Sequence, residues 1–327
     1  MKKLLLGIAA VCLAGFTFAQ DAPLWMRHSV ISPDGTTIAF TYKGDIYTVP
    51  VAGGRAMQIT TNPAYDTAPV WSPDSKRIAF ASDRMGSLDV YIVAKDGGEP
   101  RRLTTHSGSE TPLAFTDAGH VLFSAGIMPS AEAVVFPSNG QFNQVYRVSV
   151  EGGRPTMISS MPMECISINK EGAMLYQDKK GYEDYWRKHH VSPIARDIWM
   201  YTPGKEPQYR QLTTFGGEDR EPVWAPDGKT FYYLSEENGS FNIYRRTPGD
   251  AKAVQLTHYT KNPVRYLSAA TDGRLCYGFD GEIYTLLPGG EAQKVNISIV
   301  SDRNDKDIIR QIKSSGATEM AVSPDGK

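Results

Sequence analysis

The chain has 327 residues, with 35 basic and 36 acidic side chains and a net charge of −1. That balance excludes a partner held by phosphate neutralisation, so no nucleic acid is expected. An aromatic content of 10%, with 17 tyrosines, suits a β-rich protein built from half-buried strands.

Lys2 and Lys3 precede an apolar run over residues 4–14, and small residues stand at Thr17 and Ala19. This is the pattern of a secretory signal, cleaved after Ala19, so the protein is expected to be exported, to the periplasm. The run is too short for the roughly 20 residues that span a bilayer, and no later run approaches that length, so no membrane span is expected. Cys12 falls inside the signal. The remaining Cys165 and Cys276 lie in strand-like segments of different repeats and are expected as two buried free thiols rather than a disulfide.

From residue 24 onward one phrase returns six times: a polar residue, Ile or Val, then Tyr or Trp. The copies are Asp45-Ile46-Tyr47, Asp89-Val90-Tyr91, Gln144-Val145-Tyr146, Asp197-Ile198-Trp199, Asn242-Ile243-Tyr244 and Glu282-Ile283-Tyr284. A period of about 40 to 55 residues made of short β-type segments is what a propeller blade needs. Within the second copy, Ala68-Pro69-Val70-Trp71 ends at the turn Ser72-Pro73-Asp74-Ser75. Strands at 77–81, 89–93 and 102–105 follow, with Gly97-Gly98 turning the chain between the last two. Pro presets φ in such a turn, and Asp or Ser bonds locally to the backbone. Related turns recur at Ser32-Pro33-Asp34-Gly35, Ala225-Pro226-Asp227-Gly228, Ala270-Thr271-Asp272-Gly273 and Ser323-Pro324-Asp325-Gly326.

The fold expected is all-β: a six-bladed β-propeller of four-stranded antiparallel blades, followed by the start of a further blade or second propeller. The domains are a signal peptide at 1–19, the propeller at 20–298, a polar linker at 299–316 and a truncated repeat at 317–327. The chain is thus expected to be part of a longer protein. Because blade 1 starts with its own first strand and blade 6 ends with its own fourth, closure is expected from side-chain packing alone.

Little here carries chemistry. Asp227-Gly228-Lys229-Thr230 ends like a phosphate-binding loop, but Val223 replaces its first Gly. No G-x-S-x-G nucleophile elbow occurs. The Asp residues of the turns are spread one per blade, unlike a calcium site. His189 and His190 lack a further ligand at diagnostic spacing, so no metal and no cofactor are expected. Arg101-Arg102 reads as a solvated edge.

Two interruptions of the repeat stand out, and both fall between the second and third strands of their blades. Residues 125–143 carry Met128, Phe136 and Phe142; residues 178–196 carry Tyr185, Trp186, Arg187, His189 and His190. Sharing one slot on adjacent blades, they emerge from one face of the disc, opposite the Ser-Pro-Asp-Gly turns. Those eight residues are the candidate interaction face, for another domain, a subunit or a peptide.

The repeats resemble the WD40-like (PD40) repeats of TolB and of peptidase propellers. The stretch from Tyr182 to Trp199 resembles that of exported bacterial homologues of the tricorn protease, in the S41 serine peptidase family. The resemblance implies a serine endopeptidase whose catalytic residues lie beyond Lys327, with none in this chain. It also implies a propeller that gates or docks peptides or unfolded segments, contacts other domains of the same protein and joins a homo-oligomer. The alternatives are a TolB-like periplasmic protein-binding scaffold and the propeller of a prolyl-oligopeptidase-type enzyme.

Overall fold

The computed structural model describes residues 23–126, 143–181, 191–300, 321 and 323–325. Met128, Phe136, Phe142, Tyr185, Trp186, Arg187, His189 and His190 lie outside the described residues, as do the expected signal peptide and most of the expected final repeat.

Six four-stranded antiparallel sheets follow one another along the chain, each strand pairing with the next. Blade 1 comprises Arg27–Ile31, Thr37–Tyr42, Asp45–Pro50 and Met57–Gln58. Blade 2 comprises Asp66–Trp71, Arg77–Ser82, Asp89–Ala94 and Arg101–Arg102. The first strands of blades 3 to 6 are Glu110–Asp117, Met163–Ile168, Asp219–Trp224 and Arg265–Ala269. Each first strand touches those of the blades before and after it, and the first blade's touches the sixth's, so the six ring a common axis.

The repeated phrase has a physical cause. Its Ile or Val is the core of every blade: Ile46, Val90, Val145, Ile198, Ile243 and Ile283 are all fully buried. Its aromatic residue sits directly across from an aromatic of the second strand, as in Phe40 with Tyr47, Tyr176 with Trp199 and Tyr277 with Tyr284. Phe40–Tyr47 and Phe80–Tyr91 stack at 5.8 and 5.9 Å, the cross-strand pairing that stabilises sheets. Its polar residue organises the fourth strand. The Thr60 hydroxyl accepts the Ile46 N–H at 3.0 Å and donates to Asp45 at 3.3 Å. The Thr257 hydroxyl does the same with Ile243 and Asn242, at 2.9 and 3.0 Å.

The turns behave as their residues dictate. The Ser32 and Ser72 hydroxyls donate to Asp34 and Asp74, both at 2.6 Å, and Ser323 repeats this with Asp325 at 2.6 Å. Gly35 closes the first turn at φ +72, where a Cβ would be strained.

Closure differs from the sequence expectation. The Met26 N–H donates to the Gly281 carbonyl at 3.1 Å, just as Asp66 does to Gly44, Glu110 to Leu88, Asp219 to Arg196 and Val264 to Phe241 at inner seams. In addition Ile297–Ser298 pairs in parallel with Gly54–Arg55, and Thr271 N–H reaches the Pro33 carbonyl at 2.9 Å. Backbone bonds therefore join the first and last blades at both ends of the seam. Side chains from both blades, Ile31 and Phe40 with Cys276 and Ile283, fill the space between.

Candidate functional site

Every first strand carries a β-bulge against its neighbour, one at an equivalent register in five blades and two, at Pro112/Ala114 and Phe115/Asp117, in blade 3. The bulged residue is His28, Ala68, Cys165, Glu221 or Tyr266 in five blades, each with φ between +49 and +59. Blade 3 places Pro112 at this position, whose ring forbids positive φ. Bulges re-aim side chains, and here they act where the strands ring the axis. His28 lies 5.0 Å from the Tyr266 ring and 3.1 Å from the Thr67 hydroxyl, linking blades 6, 1 and 2. Burial, then the Arg27 charge, pull His28 down to about 4, so it is neutral at pH 7.

The bulge also corrects the expectation for Cys165. Both cysteines are free, and Cys276 is buried, but Cys165 is exposed. Strand alternation would hide it; the extra residue at φ +51 turns it outward. Enclosure by the surrounding blades, with Glu221 and Glu164 nearby, still pushes its thiol well above the ordinary value. The combination fits a side chain facing a narrow axial space, wet but surrounded by protein.

The residues flanking the blade 4 insertion are tied together. Lys180 Nζ donates to the Ala195 carbonyl at 2.8 Å and pairs with Asp197, while Asp197 N–H donates to Asp178 at 2.8 Å. Beside it Arg196, almost wholly buried, bridges Glu164 and Glu218, each at 3.3 Å, and Arg220 also meets Glu218. Glu221 N–H donates to Gln177 and its carboxylate accepts the Leu267 N–H, at 3.0 and 2.8 Å. This charged group locks blades 4, 5 and 6 together. Sequence reading missed it, although Glu218 and Arg220 open a first strand where blade 6 has the apolar Val264.

The insertion face is also the more apolar one. Of the twelve large apolar residues exposed among those described, Leu24, Trp25, Tyr65, Met85, Met161 and Val191 lie in its connections. Most of the others sit on outer strands. Trp25 and Val191 are 72% and 77% exposed. At the seam of blades 1 and 6 this face holds a cavity of about 380 Å³, lined by Trp25, Arg27, Arg265, Tyr266, Phe279 and Asp280 among others. Trp25 stands at φ +69, a strained conformation for a bulky residue.

The expectation of a solvated edge at Arg101-Arg102 is corrected for one of the two residues. Arg102 is not merely a solvated edge: its guanidinium lies 2.8 Å from the fully buried Asp89 carboxylate. Arg101 pairs with Glu151 of blade 3 at 2.8 Å, in the open, where such pairs contribute little. Among the described residues no three His, Cys, Asp or Glu converge as a metal site, and no helix is long and apolar enough to cross a membrane.

Residues 23–292 match the family described as the tricorn protease N-terminal beta propeller domain. Tricorn protease homolog 1 of Streptomyces coelicolor is 26% identical over 289 residues, covering 87% of this chain and 26% of that protein. The crystal structure of the tricorn protease matches with a TM-score of 0.71 at 19% identity, over 86% of this chain and 27% of that one. TolB from Acinetobacter baumannii matches at 0.61 and 15%, over 80% of this chain and 63% of that one; these two likenesses concern the fold. The chain spans about a quarter of the length of its tricorn relatives. It is a six-bladed propeller with its own bonded seam, and it belongs to the family of tricorn protease N-terminal beta propeller domains.

Proposed function

We propose that this chain is the docking propeller of an exported, periplasmic serine protease of the tricorn kind. Its insertion face receives peptides or unfolded protein segments and admits them toward catalytic residues supplied by other domains of the same protein. The observation that carries this reading is the concentration of exposed apolar side chains on one face, Trp25, Tyr65, Met85 and Val191 among them. Unfolded chains offer the apolar side chains such a face can cover; folded proteins hide them. The tied residues at Lys180 and Asp197 support it, because a loop with fixed ends loses less entropy on binding. Homo-oligomer formation, through the same or another face, belongs to this reading.

Fluorescence anisotropy of the full chain with a labelled, reduced and carboxymethylated polypeptide tests it. Binding of the unfolded probe, no binding of its folded counterpart, and about tenfold weaker binding after combined Tyr65→Ser, Met85→Ser and Val191→Ser at unchanged Tm are expected. Equal binding of folded and unfolded probes, or no effect of the triple substitution, overturns the reading.

A further inference from the structure

Each seam brings together three register-equivalent positions. They are the polar residue opening the third strand, the polar residue of the fourth (a hydroxyl in every blade but the sixth, where it is Asn296), and the residue opening the next blade's first strand. Between blades 2 and 3 these are Asp89, Thr104 and Glu110; between blades 4 and 5 they are Asp197, Thr213 and Asp219. The backbone fixes both sets, with Glu110 N–H on the Leu88 carbonyl at 2.7 Å and Asp219 N–H on the Arg196 carbonyl at 3.0 Å. Thr104 accepts the Val90 N–H and Thr213 the Ile198 N–H, each at 2.9 Å. Other seams differ. Asn242 meets Val264 and Gln144 meets Met163, with no acid at either position, and between blades 1 and 2 the second acid, Asp66, has its own Arg84 at 3.0 Å.

At the two acidic seams one cation serves two carboxyls. Arg102 takes Asp89 at 2.8 Å, and Lys180 takes Asp197. Among the described residues no cation pairs with Glu110 or Asp219. All four residues are at most 4% exposed. Asp89 has the Arg102 ion pair, Glu110 has only the Thr104 hydroxyl and the His106 backbone beside it, and among the described residues Oδ1 of Asp197 and of Asp219 meets no donor in good hydrogen-bond geometry. Two carboxyls buried at one site repel each other strongly and burial penalises both charges, which favours a proton on one of them.

We propose that each of these two seams holds one proton between its carboxyls, and that losing it loosens blades 3 and 4 together from their neighbours. Those blades carry both long insertions, so the protons border the insertion-bearing half of the face. Around Glu110 stand Asp89, Arg102, the Thr104 hydroxyl and the His106 backbone, with Tyr91 and the Arg84–Asp66 pair beyond Asp89. Around Asp219 stand the Ser235 and Thr213 hydroxyls and the charges of Asp197 and Glu237, with Lys180, Asp178 and Gln211 on Asp197. Burial foremost, then the neighbouring Asp89 charge, push Glu110 up to about 7; burial foremost, with Asp197 and Glu237, does the same for Asp219. A carboxyl raised in this way stabilises the fold fully below the ordinary carboxylate range. That contribution is lost as pH rises through about 7.

Thermal unfolding of the full chain between pH 5 and 8 tests the proposal, comparing the native chain with the Glu110→Gln, Asp219→Asn double variant. The native Tm should fall by about 5 °C or more across this range. The double variant, permanently neutral at both positions, should lose less than half as much and melt above the native chain at pH 8. Asp89→Asn alone, which removes the repelling charge at one seam, should flatten the profile by about half. Identical pH slopes in native and variant chains overturn the proposal. So does recovery of the native Tm at pH 8 on adding millimolar calcium, which would make the occupant a cation.

Discussion

The Trp71 indole N–H donates to the Val30 carbonyl at 3.0 Å, across the seam between blades 1 and 2. Trp224 repeats the bond to the Ala173 carbonyl at 3.1 Å, across the seam of blades 4 and 5. Both rings are buried, with Trp71 packed on Ala39, Ile46 and Phe80. Trp71→Phe removes the bond, leaves a carbonyl unpaired and opens a gap. The expected loss is about 2–3 kcal/mol of stability, read as a fall in Tm without change in the β-sheet circular dichroism.

Closure by backbone has its own test. A Cβ on Gly53, at φ +85, would lie 2.5 Å from the Asn296 carbonyl oxygen, beside the parallel pairing that joins blade 6 to blade 1. Gly53→Ala should therefore cost about 2–4 kcal/mol, from strain and from displacement of the strap. Ala68→Gly makes the opposite change at φ +52. Relief of the left-handed strain slightly outweighs the added freedom of the unfolded chain, so a gain of about 0.5 kcal/mol is expected from chemical denaturation.

Features set by local rules were legible in the sequence, and those set by distant contacts or by bulges were not. The blades were legible because Ile46, Tyr47 and their equivalents answer to one local rule, a buried branched residue beside a cross-strand aromatic. The Ser-Pro-Asp turns were legible because Ser32 and Asp34 bond within the turn itself. The strap was not, since Gly54–Arg55 and Ile297–Ser298 are two residues long and pair through backbone alone, which no side-chain pattern announces. Cys165 was misplaced because a bulge shifts side-chain alternation by one residue and leaves no mark of its own. Arg196 and Glu218 are charges that sequence periodicity assigns to the surface; only the meeting of blades 4 and 5 buries them together. The face bearing the insertions was read from their shared slot, and its apolar connections at Tyr65 and Met85 went unread because scattered single residues carry no periodic signal.

His28 should add an acid limb to the stability profile. Its neutral form is favoured in the fold, with the imidazole held down to about 4. The stabilisation is complete above the ordinary histidine value near 6.5 and is lost as pH falls from there to about 4. Allowing for partial exposure, the loss should be about 1–3 kcal/mol. His28→Asn, which tolerates the positive φ, should remove most of this slope in urea titrations at pH 4 and pH 7.

Arg196→Leu should be among the most damaging changes near the blade 4 insertion. It leaves the fully buried Glu218 with one cation fewer, Arg220 remaining, and deprives Glu164 of a partner at 3.3 Å. Leaving a buried charge wholly uncompensated costs about 3–5 kcal/mol, and with Arg220 still on Glu218 a loss of about 2–3 kcal/mol is expected. Replacing Arg101, whose pair with Glu151 is exposed, should change Tm by little. The contrast between the two variants, measured side by side, checks that burial rather than charge number decides.

Hydrogen exchange of the full chain, with and without a saturating unfolded polypeptide, tests most directly whether the insertion face is the docking surface. The account expects slowed exchange in the connections at 62–66, 83–88 and 191–195, with the Ser-Pro-Asp turns at 32–35 and 72–75 unchanged. Protection confined to those turns, or no protection anywhere, would contradict it.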